Sequence, residues 1–251
     1  MHDTDWSPAT TTHREERIRD RTGRLLMQDT RLQTIAKAVS KRQERYQPTT
    51  PLFDQLVQLL AQGRPVAPEL LARRLHRKLE EVRSILRAHP ELEYDEYGNL
   101  VGSGLTLVPT AHQFQVEQRT LFAWCAFDTL TYPVELHVSA RITSRCPVTG
   151  RSIQLMVTPE QVLDLDPGEA QVSLVVDVAA ECCSNVREDV CNYGHFFASR
   201  EAATRWQAAH PQVVILSVEE AYQVGKLVEG PLLRDAEPQA SWSESQLFFN
   251  R

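Results

Sequence analysis

Cysteine and aspartate side chains at a few points of this 251-residue chain could bind a soft metal or move a proton. Cys125 and Asp128 lie three residues apart in Leu121–Leu130, where the pattern predicts a helix, so they should share one face. A thiol and a carboxyl held side by side raise each other's pKa and tend to keep one proton between them. The pair could therefore join a soft nucleophile to an acid, although spacing alone favours an inert buried cysteine beside an aspartate that caps the helix or faces solvent.

A third candidate, Cys191, lies far along the chain, just before a predicted apolar strand. It can reach the first pair only if the fold brings it there. Two thiolates and a carboxyl at one point would suit a soft cation that prefers sulfur and accepts few ligands. His195 is a possible ligand or base, but beside Phe196 and Phe197 a hydrogen-bonded core histidine is the more common role.

The other three cysteines carry weaker signals. Cys146 lies in a tight turn between predicted strands, where packing is the expected role. Cys182 and Cys183 form a vicinal pair in a polar stretch, and they could capture a soft metal or be exposed thiols. Five cysteines without zinc-ribbon spacing, in a chain whose first residues contain no apolar signal segment, predict free thiols and a cytoplasmic protein.

Charge and composition exclude several classes of protein. The net charge is −6, yet residues 14–45 carry ten Lys or Arg against five Asp or Glu, which leaves −11 on the rest. That acidic remainder should repel a phosphate backbone, so a nucleic-acid partner is not expected. The sequence also lacks a phosphate-binding glycine loop, a His-Glu-x-x-His signature, a Gly-x-Ser-x-Gly elbow and any apolar stretch long enough to span a membrane.

The first hundred residues predict a basic extension and a small helical domain. Residues 1–47 form a polar, basic extension whose apolar spacing after residue 14 predicts one or two amphipathic helices with a solvated face. Residues 48–103 predict a helix from Leu52 that ends at Gly63, a second from Pro68 and a third from Leu79. A hairpin turn follows at residues 94–100, and three helices before a hairpin is the winged-helix order.

Residues 104–234 predict a catalytic domain in which strands dominate, followed by a loose tail at 235–251. The predicted strands are Leu105–Val108 and Gln113–Val116, which alternate like a pair, then Leu136–Thr143, Ser152–Val157, Val172–Val176, His195–Ala198 and Val213–Leu216. Ser199 and Ser217 are predicted helix N-caps, the latter with Glu220 at capping-box spacing. The fold class is therefore α+β, with a winged-helix-like domain before a mixed or antiparallel sheet and flanking helices.

A metal-sensing DNA-binding regulator is the alternative that this order of elements supports. It would use the three helices, the hairpin and the basic extension to bind a duplex. Its recognition helix would be residues 79–88, where Glu80 and Glu81 stand in place of the positive charge that a phosphate-facing surface needs. A metal carrier with two thiols and no catalytic activity is a third hypothesis.

Three separated motifs resemble one known family in order and in spacing. They are Arg119–Leu130, Ser144–Gly150 and Cys191–Ser199, and the likeness extends to Glu93–Leu107 and Val214–Tyr222, within residues 52–232. In these segments the chain resembles the alkylmercury lyases, also called organomercurial lyases. The resemblance implies that Cys125 and Cys191 bind mercury, that Asp128 handles the proton and that Cys146 is structural. Many members have a second cysteine where this chain has Asn192.

The resemblance also implies a substrate, a product and partners. The family cleaves the carbon–mercury bond of organomercurials by protonolysis as part of mercury resistance, and it needs no cofactor. The product Hg(II) would remain on the two cysteines until external thiols or a mercuric reductase accept it. An apolar pocket for the organic group could be lined by aromatic residues, for which core packing is the alternative: Trp124, Phe127, Tyr132 and Tyr193.

Overall fold

A computed structural model describes residues 30–43, 51–176 and 185–229. The predictions for residues 1–29, for Cys182 and Cys183 and for the tail 235–251 lie outside these ranges. Residues 30–43 form a helix, α1, which buries Ile35, Ala36 and Val39 and so confirms an amphipathic helix in this part of the extension. Its basic side chains are not all solvated, however, because Arg42 is buried.

The winged-helix order predicted for the next segment is confirmed. Helices α2, α3 and α4 span Pro51–Leu60, Pro68–Arg74 and Leu79–Arg87. The strands β1 (Glu93–Tyr94) and β2 (Leu100–Ser103) then form the hairpin. Its turn is fixed by Asp95, whose carboxylate accepts hydrogen bonds from the backbone N–H groups of Tyr97 and Asn99 at 2.9 and 2.8 Å.

An eight-stranded sheet includes this hairpin and continues into the second half of the chain. Its other strands are β3 (Leu105–Thr106), β4 (His112–Val116), β5 (Arg119–Ala123), β6 (Ala140–Arg145), β7 (Ser152–Val157) and β8 (Val162–Asp166). The spatial order is β1-β2-β3-β5-β4-β6-β7-β8, and each pairing is antiparallel, so the sheet is antiparallel rather than mixed. The predicted pairing of β3 with β4 is wrong, because β5 lies between them.

The helix predicted over residues 121–130 is displaced along the chain. Residues 121–123 belong to β5, which is paired on both edges, and strand pairing on both sides overrides the local apolar spacing. Helix α5 spans Ala126–Leu136, continues through Pro133 and ends at His137, which has a positive φ of 54°. The strand predicted from residue 136 consequently begins only at Ala140.

A second, three-stranded antiparallel sheet has β9 (Gln171–Val175) between β10 (Phe196–Phe197) and β11 (Val213–Ser217). Between β9 and β10 lie a short helix α6 (Val186–Asp189) and a 3-10 turn (Cys191–Tyr193). Helices α7 (Arg200–Gln207) and α8 (Val218–Glu229) complete the described chain. The predicted N-caps are confirmed, because Ser199 accepts from the Ala202 N–H at 3.2 Å and Ser217 accepts from the Glu220 N–H at 3.1 Å.

Helix α5 contacts both sheets and also packs along α8. The two helices approach closely at Gly225, where a Cβ atom would lie 2.9 Å from the Thr131 methyl group. Large side chains from both sheets and both helices are fully buried in one core: Phe114, Leu121, Leu130, Phe196 and Tyr222. Among the described residues no helix is long and apolar enough to cross a membrane. Through its contacts, α5 links the two sheets.

Candidate active site

Cys125 and Asp128 meet at the first turn of α5 through a reciprocal helix cap. Cys125 is the N-cap residue, and its sulfur accepts a hydrogen bond from the Asp128 N–H at 3.4 Å. The Asp128 carboxylate accepts one from the Cys125 N–H at 3.1 Å. The predicted proximity is confirmed, but the reason differs, because Cys125 precedes the helix instead of lying on its face.

Cys191 is brought to this cap by the 3-10 turn that follows α6. The backbone N–H of Ala126 donates to the carbonyl of Gly194 at 2.9 Å, which ties the helix start to the end of the turn. Glycine allows this close approach, because a Cβ atom at position 194 would lie 2.7 Å from the Cβ of Cys125 and 3.1 Å from its sulfur. Gly194 therefore allows the turn that carries Cys191 to pack directly against Cys125.

Buried Ser173 on β9 holds the other side of the same turn. Its hydroxyl donates to the Tyr193 carbonyl at 2.6 Å and accepts from the His195 N–H at 2.9 Å. Within the described residues, the sulfur atoms of Cys125 and Cys191 and a carboxylate oxygen of Asp128 lie within 4.8 Å of one another. The structure thus brings together the three residues that the sequence singled out.

Both thiols are buried, and they are reduced. Burial raises the pKa of the Cys125 thiol well above its usual value, and the hydrogen bond with Cys191 and the charge of Asp128 act in the same direction. Burial also raises the pKa of Asp128 to about 6, against the opposing effects of its hydrogen bonds with Cys125 and of the Arg42 charge. Near neutral pH the site therefore holds a protonated Cys125 thiol beside a carboxylate that can accept a proton.

Two sulfur ligands and one carboxylate, with no imidazole in the group, form a donor set for a soft ion of low coordination number. The remaining candidates lie elsewhere. Cys146 is buried in the turn between β6 and β7 and is outside the group. His195 is half-buried and packs edge-on against Trp206, with ring centroids 5.2 Å apart, and it is outside the group.

The four aromatic residues considered for a pocket have structural contacts of their own. Trp124 directly precedes Cys125 and is nearly buried, and Phe127 packs near Gly225 of α8. The Tyr132 hydroxyl donates to the Ser103 carbonyl at 3.2 Å, and the Tyr193 ring lies 5.8 Å from that of His210. Burial raises the pKa of Tyr132 well above its usual value, and the charge of Asp128 adds to that increase.

Arg42, Glu93 and Arg187 were not singled out by the sequence, although each is linked to the site. Arg42 donates a hydrogen bond to the carbonyl of Val175 on β9 and lowers the pKa of Asp128. Glu93 accepts hydrogen bonds from Arg187 and from the indole N–H of Trp124. No local pattern identifies these residues, because each acts across the fold from a segment that is charged or polar in sequence.

Two arginines at α4, Arg77 just before the helix and Arg83 within it, form ion pairs. Arg83 contacts Glu69 at 2.8 Å and Glu80 at 3.1 Å, and Arg77 contacts Glu81 at 3.0 Å. Acidic neighbours therefore occupy these two arginines, which disfavours their use as phosphate contacts. The structure therefore adds nothing in favour of the DNA-binding regulator.

Comparison with known proteins gives the same family for both halves of the described chain. Residues 105–230 match the family model described as alkylmercury lyase, and residues 35–104 match the helix-turn-helix domain of alkylmercury lyase. Curated relatives include the alkylmercury lyase of Streptomyces lividans, 44% identical over 74% of this chain and 86% of the relative. The alkylmercury lyase of Pseudomonas putida is 43% identical over 74% of this chain and 86% of the relative.

A solved structure is similar as well. The crystal structure of the mercury-bound form of MerB2 superposes with a TM-score of 0.64 at 25% identity, covering 77% of this chain and 98% of that one. The predicted α+β architecture, a helix-turn-helix region before antiparallel sheets, agrees with this likeness. With a Cys-Asp-Cys group at the junction of its two sheets and matches along both halves, the chain belongs to the alkylmercury lyase family.

Proposed function

We propose that this protein cleaves the carbon–mercury bond of organomercurials, with Cys125 and Cys191 as the mercury ligands and Asp128 as the proton carrier. The observation that carries the proposal is the convergence within 4.8 Å of two buried sulfur atoms and one carboxylate oxygen of the partly buried Asp128. Thiolates are the ligands that a soft, low-coordinate metal such as mercury prefers. A carboxyl with a pKa of about 6 can both accept and donate a proton near neutral pH.

The steps balance without any further reactant. One cysteine exchanges with the thiolate that carries the organomercurial, so its S–H proton leaves on the displaced thiol. The second cysteine gives its proton to Asp128 and binds mercury as a thiolate. Asp128 then delivers that proton to the carbon, which keeps the electron pair of the breaking carbon–mercury bond. The products are a hydrocarbon, Hg(II) on two cysteines and a regenerated carboxylate.

Release of Hg(II) requires competing sulfur ligands, because the site holds the ion between two buried thiolates. Small external thiols or the thiols of a mercuric reductase supply them, and no other cofactor enters the steps above. Both cysteines must remain reduced for turnover, which favours the cytoplasm as the working compartment. The substrate partner is a small organomercurial.

The test is benzene release from phenylmercury in excess thiol by the wild type, Asp128→Ala, Cys125→Ala and Cys191→Ala. Asp128→Ala should retain Hg(II) binding and lose turnover by about 10²–10⁴-fold, the usual contribution of a positioned proton carrier. Each cysteine variant should lose both properties. Wild-type turnover by Asp128→Ala would refute the proton-carrier role, and Hg(II) binding without benzene release by the wild type would identify a metal carrier.

A further inference from the structure

One buried carboxylate of the winged-helix hairpin contacts both of the segments that carry the site cysteines. Glu93 begins β1, and its side chain is 14% exposed. One of its oxygens accepts from the Thr106 hydroxyl at 2.5 Å and from the indole N–H of Trp124 at 3.1 Å. The other oxygen accepts from the guanidinium of Arg187.

Two of these partners are close to the cysteines along the chain. Trp124 is the residue directly before Cys125, and Arg187 lies in α6, four residues before Cys191. The Arg187 guanidinium carbon also lies 5.1 Å from the centroid of the Trp124 ring. The Glu93 carboxylate therefore connects, through one side chain on each, two segments that are far apart in sequence.

Strand β2, which pairs with β1, leaves space for the Glu93 side chain because it has a glycine at the paired position. Gly102 is the register partner of Glu93 in the β1–β2 pair. A Cβ atom at Gly102 would lie 1.9 Å from a Glu93 carboxylate oxygen and 2.7 Å from the Thr106 hydroxyl oxygen. A residue with a side chain there would push the carboxylate out of its position. The position of the Glu93 carboxylate therefore depends on the missing side chain at Gly102 as well as on three hydrogen-bond donors.

From these contacts we infer that Glu93 is a positioning residue of the mercury site, an inference that rests on the proposed role of the two cysteines. Its carboxylate holds the Trp124 and Arg187 side chains together and so fixes the approach of Cys191 to Cys125. The helix-turn-helix region is accordingly part of the catalytic unit. Residues that orient metal ligands in this way typically change metal affinity or activity by about 10–100-fold when they are replaced.

The test compares Glu93→Gln with Glu91→Gln as a matched control. Glu91 is also a buried carboxylate of the helix-turn-helix region, but it contacts His89, at 3.3 Å. Inorganic Hg(II) affinity is measured by competition with a small dithiol, and benzene release from phenylmercury gives turnover. Hydrogen exchange of the peptide covering residues 185–194 reports directly on the segment before and after Cys191.

Glu93→Gln should weaken Hg(II) binding and slow turnover by about 10–100-fold, and it should speed exchange in residues 185–194. Glu91→Gln should leave all three at wild-type values. Arg187→Met should reproduce the effect of Glu93→Gln, and the double variant should lose little more than either single one. The Arg187 side chain is about one-third exposed, so Arg187→Met should fold and provides the test if Glu93→Gln does not fold.

Any one of three results would overturn the inference. Glu93→Gln could bind Hg(II) with wild-type affinity, Glu91→Gln could lose as much affinity and turnover as Glu93→Gln, or the losses of the two single variants could add in the double variant. The proposed function fails separately, if Cys125→Ala or Cys191→Ala keeps wild-type Hg(II) affinity. Loss of binding in the cysteine variants with no effect in Glu93→Gln or Arg187→Met would leave the proposed function intact and reject the positioning role.

Discussion

Replacing Asp128 with asparagine tests the electrostatics of the site through the free energy of unfolding. Burial raises the pKa of Asp128 to about 6, whereas an aspartate in an unfolded chain has a pKa of about 3.9. The folded state therefore binds the proton more tightly than the unfolded state. The resulting stabilisation is complete below about pH 4, decreases as the pH rises and is lost above about pH 6.

The magnitude follows from the size of this shift. Two pKa units at about 1.4 kcal/mol each correspond to roughly 3 kcal/mol over the whole range, and to about 2 kcal/mol between about pH 4.5 and about pH 7.5. An asparagine side chain stays neutral at every pH in this interval, so the variant lacks this dependence. Relative to the wild type, Asp128→Asn should gain about 2 kcal/mol in unfolding free energy across that interval.

Urea unfolding of the metal-free, reduced protein at the two pH values measures the difference. Glu169→Gln is the control, because it removes an exposed carboxylate in the loop before β9. The reasoning would be refuted if the difference in unfolding free energy between Asp128→Asn and the wild type were equal at both pH values, or if it moved in favour of the wild type as the pH rises. Burial would then not be the dominant influence on the pKa of Asp128.

Removing the charge of Arg42 by Arg42→Met should move the midpoint of the pH–rate profile upward, because that charge lowers the pKa of Asp128. The control Arg31→Met, on the same helix but exposed and paired with Glu220, should not move it, and an unchanged midpoint in Arg42→Met would contradict the assignment. Ser103→Ala should leave stability unchanged or raise it by about 1 kcal/mol, because the buried Ser103 hydroxyl oxygen has no hydrogen-bond partner among the described residues. Urea unfolding checks this, and a loss of more than about 1 kcal/mol would show that the hydroxyl is satisfied.

Local patterns in the sequence were sufficient for the helices and caps outside the centre of the fold. The apolar spacing of α2 and α4 and the glycine after α2 are signals carried within about ten residues, and the structure confirms them. The Ser217–Glu220 capping box is a local signal of the same kind. Such elements are predictable because their hydrogen bonds and buried faces are set by neighbours in sequence.

The segment around Cys125 was interpreted less well, because its structure depends on pairing with two neighbouring strands of the sheet. Residues 121–123 have apolar spacing compatible with a helix, but they pair with β3 on one edge and β4 on the other. β8 was also missed: its Leu163–Asp166 segment does alternate apolar and polar residues, but the strand is short and none of its five residues is fully buried. Strand pairing decided both segments, because β5 pairs with β3 and β4 and β8 pairs with β7.

The sequence by itself determined which atoms are available for chemistry: two thiols and a carboxyl whose spacing and surrounding motifs resemble one family. Only the tertiary structure decided that Cys191 faces Cys125, that burial raises the pKa of Asp128 and that Glu93 contacts both segments. The physical reason is that donor type is a property of each residue, whereas distance and desolvation arise when strands and helices far apart in sequence pack against one another.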